Sequence, residues 1–266
     1  MKKLNFAVAL GALAAVLSTP VYAADVEPMP AAADWTAFHV GIGGGGNFVF
    51  SQQSSEAFIS EVCTDCDVLD FESSSDLGKA GAFGTIEGGF DYQMDSMVFG
   101  VLANYDFGKT SMDSSASNSQ DGFGQDVDTE ISTNLEVGDS WAAGARFGLL
   151  PTERTLLYVL GGYTQANISQ DANVNGTLLL DPPVPFDESV SGSGWESGYF
   201  VGTGIETMFT DNITIKLEYR FADYGKVGIN HEEPVSIPGQ GESTAGGGQS
   251  DDVTVHSVRA VLSYRF

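Results

Sequence analysis

Ten charged residues are the part of this sequence best placed to do chemistry. Glu87, Asp106, Arg146, Glu196, Glu206, Lys216, Glu218, Arg220, Arg259 and Arg265 each fall on the polar face of a segment whose alternate positions are apolar or small. Enclosed charges of both signs must pair or be hydrated. They could form a structural ion-pair plug or line a constricted pore. A carboxylate pair for acid–base work is a third option, but nothing sets one pair apart. Cys63 and Cys66 stand as CTDC, a spacing that can close a local disulfide outside the cytoplasm. Free thiols, redox chemistry and metal binding are the alternatives, although a thioredoxin-like role would need a βαβ context that is absent here. His39, His231 and His256 are scattered. His256 and Ser257 are adjacent, so on a strand their side chains face opposite ways and cannot form a dyad. These residues predict no catalytic group, no bound cofactor and no metal centre; the chain is not expected to be an enzyme.

The composition narrows the partners. The chain has 266 residues, with 36 Asp and Glu against 11 Lys and Arg, for a formal net charge of −25. No basic patch can be assembled to neutralise a phosphate backbone, which excludes nucleic-acid binding. At 42% hydrophobic the chain is nevertheless too apolar for a disordered polymer.

The elements that must position these charges have a period of two. In ITIKLEYRF, Ile213, Ile215, Leu217, Tyr219 and Phe221 share one face, and Thr214, Lys216, Glu218 and Arg220 share the other. The same alternation runs through SVRAVLSYRF at the C-terminus, through WTAFHVGIGGGGNFVF near the N-terminus, and through SWAAGARFGLL and GWESGYFVGTGIETMF. Such runs predict strands at 35–50, 80–92, 97–107, 133–149, 155–169, 195–209, 213–224 and 253–266. The fifth, with LLYVLGG, alternates least cleanly. Strands of about ten residues suit a tilted bilayer crossing. Short turns at Gln93–Ser96, Leu150–Arg154 and Thr210–Asn212 alternate with long polar loops at 51–79, 108–130, 170–194 and 225–252, parts of which, such as TLLL at 177–180, could extend strands above the membrane. Residues 1–23, with Lys2 and Lys3 ahead of an apolar run and Val21-Tyr22-Ala23 at its end, read as a secretory signal peptide. Residues 24–34 read as a periplasmic lead-in, and 35–266 as one barrel domain. The fold class is all-β: an eight-stranded antiparallel transmembrane β-barrel with long outer loops and short periplasmic turns.

Several segments resemble the eight-stranded outer-membrane β-barrel proteins of Gram-negative bacteria, the OmpA-like and opacity-type superfamily, and within it the small porin-like surface proteins of alphaproteobacteria. They are DWTAFHVGIGGGG at 34–46, ARFGLLPTERTLLYVLGGYT at 145–164, GYFVGTGIETMFTDNITIKLEYRFADYG at 198–225 and the terminal SVRAVLSYRF. The resemblance implies residence in the outer membrane after secretion through the inner one, in contact with lipid and lipopolysaccharide. It makes Val258, Leu262, Tyr264 and Phe266 an assembly signal read by the barrel assembly machinery, with periplasmic chaperones as further partners. Three functions are open. The first is a surface protein that supports the envelope and presents loops, without catalysis. The second is a small-solute porin whose narrow lumen is lined by Glu87, Arg146, Glu206, Lys216, Glu218, Arg220 and Arg259. The third is an adhesin or receptor meeting a host, phage or matrix partner through the loops. Those loops are acidic: 51–79 carries seven Asp and Glu against Lys79, and 108–130 carries five against Lys109. A solvated surface is the simplest reading, and divalent cations bridging to lipopolysaccharide the alternative. Oligomeric state is not legible.

Overall fold

The alternation of the sequence becomes a closed ring of antiparallel strands in the computed structural model of the chain. The structure describes residues 34–60, 69–122, 125–178, 184–237 and 241–266. The strands are β1 (Ala37–Ser60), β2 (Leu69–Met94), β3 (Met97–Gly108), β4 (Thr110–Gly122), β5 (Gln125–Thr152), β6 (Thr155–Leu178), β7 (Val184–Met208), β8 (Ile213–Ile237) and β9 (Gly241–Arg265). β3 and β4 are two lengths of one strand, interrupted at Lys109, and both pair with β5. The ring therefore has eight members. It closes where β9 pairs with β1 along a register running from His39↔Arg265 to Ser60↔Thr244. Closure leaves no strand edge exposed to lipid at the level of the bilayer.

The short turns fall where the sequence placed them. Asp95, at φ 55°, makes the β2–β3 turn; aspartate is among the residues that tolerate this left-handed conformation. The segments expected as loops differ from expectation. Most of 51–79, 108–130, 170–194 and 225–252 is paired strand, since β1 and β2 stay in register out to Ile59↔Leu69 and β6 and β7 out to Leu178↔Val184. Serine, aspartate, asparagine and glycine favour turns, so a run of them reads as loop. Here each arm simply continues the ladder of its hairpin.

Above the bilayer the ring splits. The β2–β3 ladder ends at Phe83↔Gly108, and among the described residues β4 pairs only with β5. On the opposite side the β7–β8 ladder ends at Tyr199↔Asp223. What continues outward is two four-stranded sheets, β2-β1-β9-β8 and β4-β5-β6-β7. Register irregularities mark the same level, between Val137 and Ser140 on β5 and between Asp223 and Gly225 on β8. Gly225 has φ +64°, a conformation that a side chain would strain.

Outward-facing positions of the ring are apolar and exposed, among them Phe38, Val40, Ile42, Phe48 and Phe50 on β1. At ~3.3 Å per residue and a tilt of about 40°, Phe38 to Phe50 spans roughly 30 Å of height, the thickness of a hydrocarbon core. Aromatic residues collect at both margins of this band. Phe38 packs on Phe90 and Phe99 on Phe147 near the short turns, and Trp141 packs on Tyr163 at the other end. Inward, glycine permits the closure. A Cβ at Gly43 would lie 2.1 Å from the Ala260 carbonyl oxygen, and one at Gly45 2.1 Å from that of Val258.

Candidate functional site

The interior of the ring is the candidate site, and strand parity delivers its side chains. Lys216, Glu218 and Arg220 are alternate residues of β8; Arg259, Ser263 and Arg265 come from β9, and Glu87 and Asp91 from β2. All are buried.

Two linked clusters result. Nearer the short turns, Arg146 donates from Nε and Nη2 to Asp91 at 2.8 and 2.5 Å, and from Nη1 to Glu206 at 2.7 Å. Arg265 donates to Asp91 at 3.0 Å, and the Thr214 hydroxyl donates to Glu206 at 2.6 Å. His39 sits beside this cluster, its Nδ1 3.5 Å from Asp91. Above it, Lys216 is paired with Glu87, and Glu218 accepts from the Nε of Arg220 and, at 2.7 Å, from the Tyr158 hydroxyl. Arg259 holds Asp106 with both terminal nitrogens, at 3.1 and 3.0 Å, and Arg220 donates to Asn104 at 2.7 Å. Four of the cations also lie over rings: Arg146 over Tyr158, Arg220 over Phe200, Arg259 over Phe83 and Arg265 over Trp35, at 4.8–5.2 Å. Arg146, Lys216, Arg220, Arg259 and Arg265 thus face an equal number of carboxylates, Glu87, Asp91, Asp106, Glu206 and Glu218. Each charge has a partner, which is what makes burial in a low dielectric tolerable.

The clusters are capped at both ends. Trp35, Val98, Leu156 and Met208 are buried at the short-turn end. At the outer end, where the two sheets face each other, Val49, Met112, Leu135, Val137, Ile168, Val227 and Val253 are buried. Gln170 ties the two sheets by donating to Asp251 at 2.6 Å. Between the charges and the outer apolar layer lies a cavity of about 50 Å³, lined in part by Arg220, Arg259, Tyr224 and Phe200. That is room for one or two waters.

The structure brings Glu87, Arg146, Glu206, Lys216, Glu218, Arg220 and Arg259 into this interior, with Asp106 and Arg265. Glu196 stands apart, half-buried on β7 opposite Ala166. Val258, Leu262, Tyr264 and Phe266 face outward and are exposed, and the Phe266 amide donates to the Phe38 carbonyl at 3.0 Å. His256 lies on the outer face between the Phe50 and Phe221 rings, within 2.7 Å of the Tyr219 hydroxyl. His231 lies on β8, in register with Gly247. Cys63 and Cys66 fall outside the described residues. Among the described residues, no three His, Cys, Asp or Glu side chains gather to hold a metal ion.

Asp91, Trp35 and Tyr158 escaped the sequence reading. Asp91 shares the parity of Glu87 but sits beside the expected turn. Two aspartates outside the ring were missed as well. Asp139 accepts from the Gly108 amide at 3.1 Å and the Tyr105 hydroxyl at 3.2 Å. Asp223 accepts from the Gly225 amide at 2.8 Å and the Tyr199 hydroxyl at 3.0 Å. Each fastens one of the two places where the ring splits.

The sequence profile of the outer membrane protein beta-barrel domain matches residues 10–266. The 31 kDa outer-membrane immunogenic protein of Brucella melitensis is 26% identical over 97% of this chain and 99% of its own length. The 25 kDa outer-membrane immunogenic protein of Brucella ovis is 32% identical over 55% of each chain. Among solved structures, OprG from Pseudomonas aeruginosa aligns with 88% of this chain and 98% of its own at 11% identity and a TM-score of 0.37. Ail of Yersinia pestis aligns over 84% and 98%, at 11% identity and a TM-score of 0.33. With a closed antiparallel ring, an apolar outer band and a profile match across nearly its whole length, the chain belongs to the outer-membrane β-barrel domain family and resides in the cell outer membrane.

Proposed function

We propose that this chain is a non-conducting, non-enzymatic surface protein. It supports the envelope as a rigid barrel and holds two acidic sheets above the membrane. The observation that carries this reading is the filled interior: a balanced ion-pair network capped by apolar side chains at both ends. A solute would have to break buried pairs that share their charges in one network, at a cost of about 3–5 kcal/mol for each charge left uncompensated. The porin alternative requires a water path through that network. In the non-conducting reading the lumen residues act as a plug, and Val258, Leu262, Tyr264 and Phe266 act during insertion as the feature read by the barrel assembly machinery. Export by residues 1–23, periplasmic chaperones and contact with lipopolysaccharide complete the route. Domain limits at 23/24 and 34/35 belong to the same reading.

A receptor or adhesin role is the second reading. The Brucella relatives are described as immunogenic, which fits outer sheets displayed to the surroundings. The experiment is single-channel recording on refolded mature protein whose gel mobility shifts on heating. Silence is expected. Reproducible ohmic steps would overturn the plug and direct mutation to Arg146, Glu206 and Arg259. Exchange of the outer sheets on an intact barrel then separates display from envelope support.

A further inference from the structure

The short-turn mouth of the ring is closed by a residue that belongs to no strand. Trp35 precedes β1, yet it is fully buried. Its indole Nε1–H donates to the Glu153 carbonyl in the β5–β6 turn at 3.0 Å. Its backbone amide donates to the Gln93 side chain beside the β2–β3 turn at 2.8 Å. Its carbonyl accepts from Arg265 on the last strand, whose guanidinium also lies 4.9 Å over the indole ring. One residue therefore ties three separate elements across the mouth, its indole reaching the β5–β6 turn and Arg265 and its backbone reaching Gln93 and Arg265. Only tryptophan offers both the N–H and the broad π face that these contacts use.

Arg265 couples this closure to the interior, because the same guanidinium donates to Asp91, the hub that also holds Arg146. Buried beside Asp91 is His39, with neither ring nitrogen hydrogen-bonded. Water reaching this level would hydrate the cluster and weaken each of its pairs. The ion pairs themselves hang from strands locked in the ladder. Trp35 hangs from backbone outside the ladder, so it can leave without any strand unpairing.

We infer that Trp35 is a strap seated in the periplasmic mouth. Its seating keeps water from the Asp91–Arg146–Arg265 cluster, and withdrawing it opens the mouth while the barrel stays closed. This stands independently of whether the lumen conducts, because it concerns access from one side only.

The test is thiol accessibility in refolded full-length mature protein with Cys63→Ser and Cys66→Ser. Ser263→Cys places a thiol on the inward face next to Arg265, and Ser257→Cys places one near the outer cavity. A small cationic methanethiosulfonate reagent is then applied. With Trp35 present, both thiols are expected to be protected. With Trp35→Ala, labelling at 263 should rise at least tenfold while 257 stays protected and heat-shifted mobility is retained. Trp35→Phe, which keeps the ring face, should fall between. Protection at 263 in folded Trp35→Ala protein, or equal labelling at 263 and 257, overturns the strap. Where Trp35→Ala does not fold, Trp141→Phe with Trp195→Phe leaves Trp35 as the sole indole. Its fluorescence should then resist acrylamide, and free quenching overturns the inference.

Discussion

Inside the bilayer the ring is built around ion pairs; above it, the two sheets pack mainly alkyl groups around the hydrogen bonds of Ser51 and Gln170 to Asp251. Arg146, Lys216 and Arg259 face inward at one level, and Leu135, Ile168 and Val253 face inward at the other. The outward faces invert in the same way, from Phe38, Ile42 and Leu217 below to Asp113, Asp171 and Asp252 above. The inversion follows the surroundings. Lipid takes the apolar side chains of the ring, leaving the polar ones for the lumen. Above the membrane, water surrounds the sheets and ordinary burial of apolar surface resumes. The strands cross from one regime to the other without ending. The changeover falls at the level of the break at Lys109 and the bulges before Ser140 and Gly225. The two regimes also specify structure differently. Slipping one strand by a residue in the ring would put charges into lipid, whereas an apolar layer tolerates exchange of similar volumes.

The largest expected effect breaks the ionic regime. Arg146→Ala leaves Asp91 and Glu206 buried without their main cation and should cost about 3–5 kcal/mol, read from urea unfolding of protein folded in vesicles. The apolar regime should fail locally. Leu135→Ala should cost about 2–4 kcal/mol and remove hydrogen-exchange protection from the outer lengths of β5 and β6. Amides of β8 and β9 near Leu217 and Ala260 should keep theirs. If that loss spreads into the ring, the two regions are one cooperative unit and the comparison fails. Next comes the boundary itself. Asp223→Asn keeps an acceptor for the Gly225 amide but removes the charge, at about 1.5 kcal/mol. Exchange near Tyr199 should rise, and Asp139→Asn should do the same near Tyr105 on the opposite side. The smallest effect is expected at Lys109, which pairs with Glu136 at 2.8 Å at the exposed surface. Lys109→Ala should change stability by less than about 1 kcal/mol. That change should vanish in high salt, while the Arg146→Ala effect should not.

Strand existence, parity and strand number were legible because lipid on one side and ions on the other impose strict alternation. The residues 213–221 and 258–266 carried that pattern plainly. LLYVLGG was hard to read for a physical reason: Leu156, Tyr158 and Leu160 are buried inside while Val159 faces lipid, so both faces are apolar. The outer strands were illegible because polar, turn-favouring residues fill ladders whose only requirement is a hairpin partner. Their inner layer, from Val49 to Val253, was hidden because its members lie at or beyond the ends of the expected strands. Trp35 shares the inward parity of His39 and Gly41 in the expected strand 35–50, but parity says nothing of its reach to the β5–β6 turn, which depends on its lying ahead of the ladder.

The β1–β9 seam has a consequence for the order of folding. It joins the first strand to the last, so His39 and Arg265 meet across almost the whole domain. Each hairpin can zip locally, but this contact closes a loop whose entropy costs about 5 kcal/mol before its first hydrogen bond forms. Contact order is therefore concentrated in one late step, and such long-range pairing is slow. Until β9 arrives, the partly built sheet has an open edge on each side and no resting place in lipid. A chain stopped short of its final strand would gain none of the stability of the completed ring, however much of it had been made.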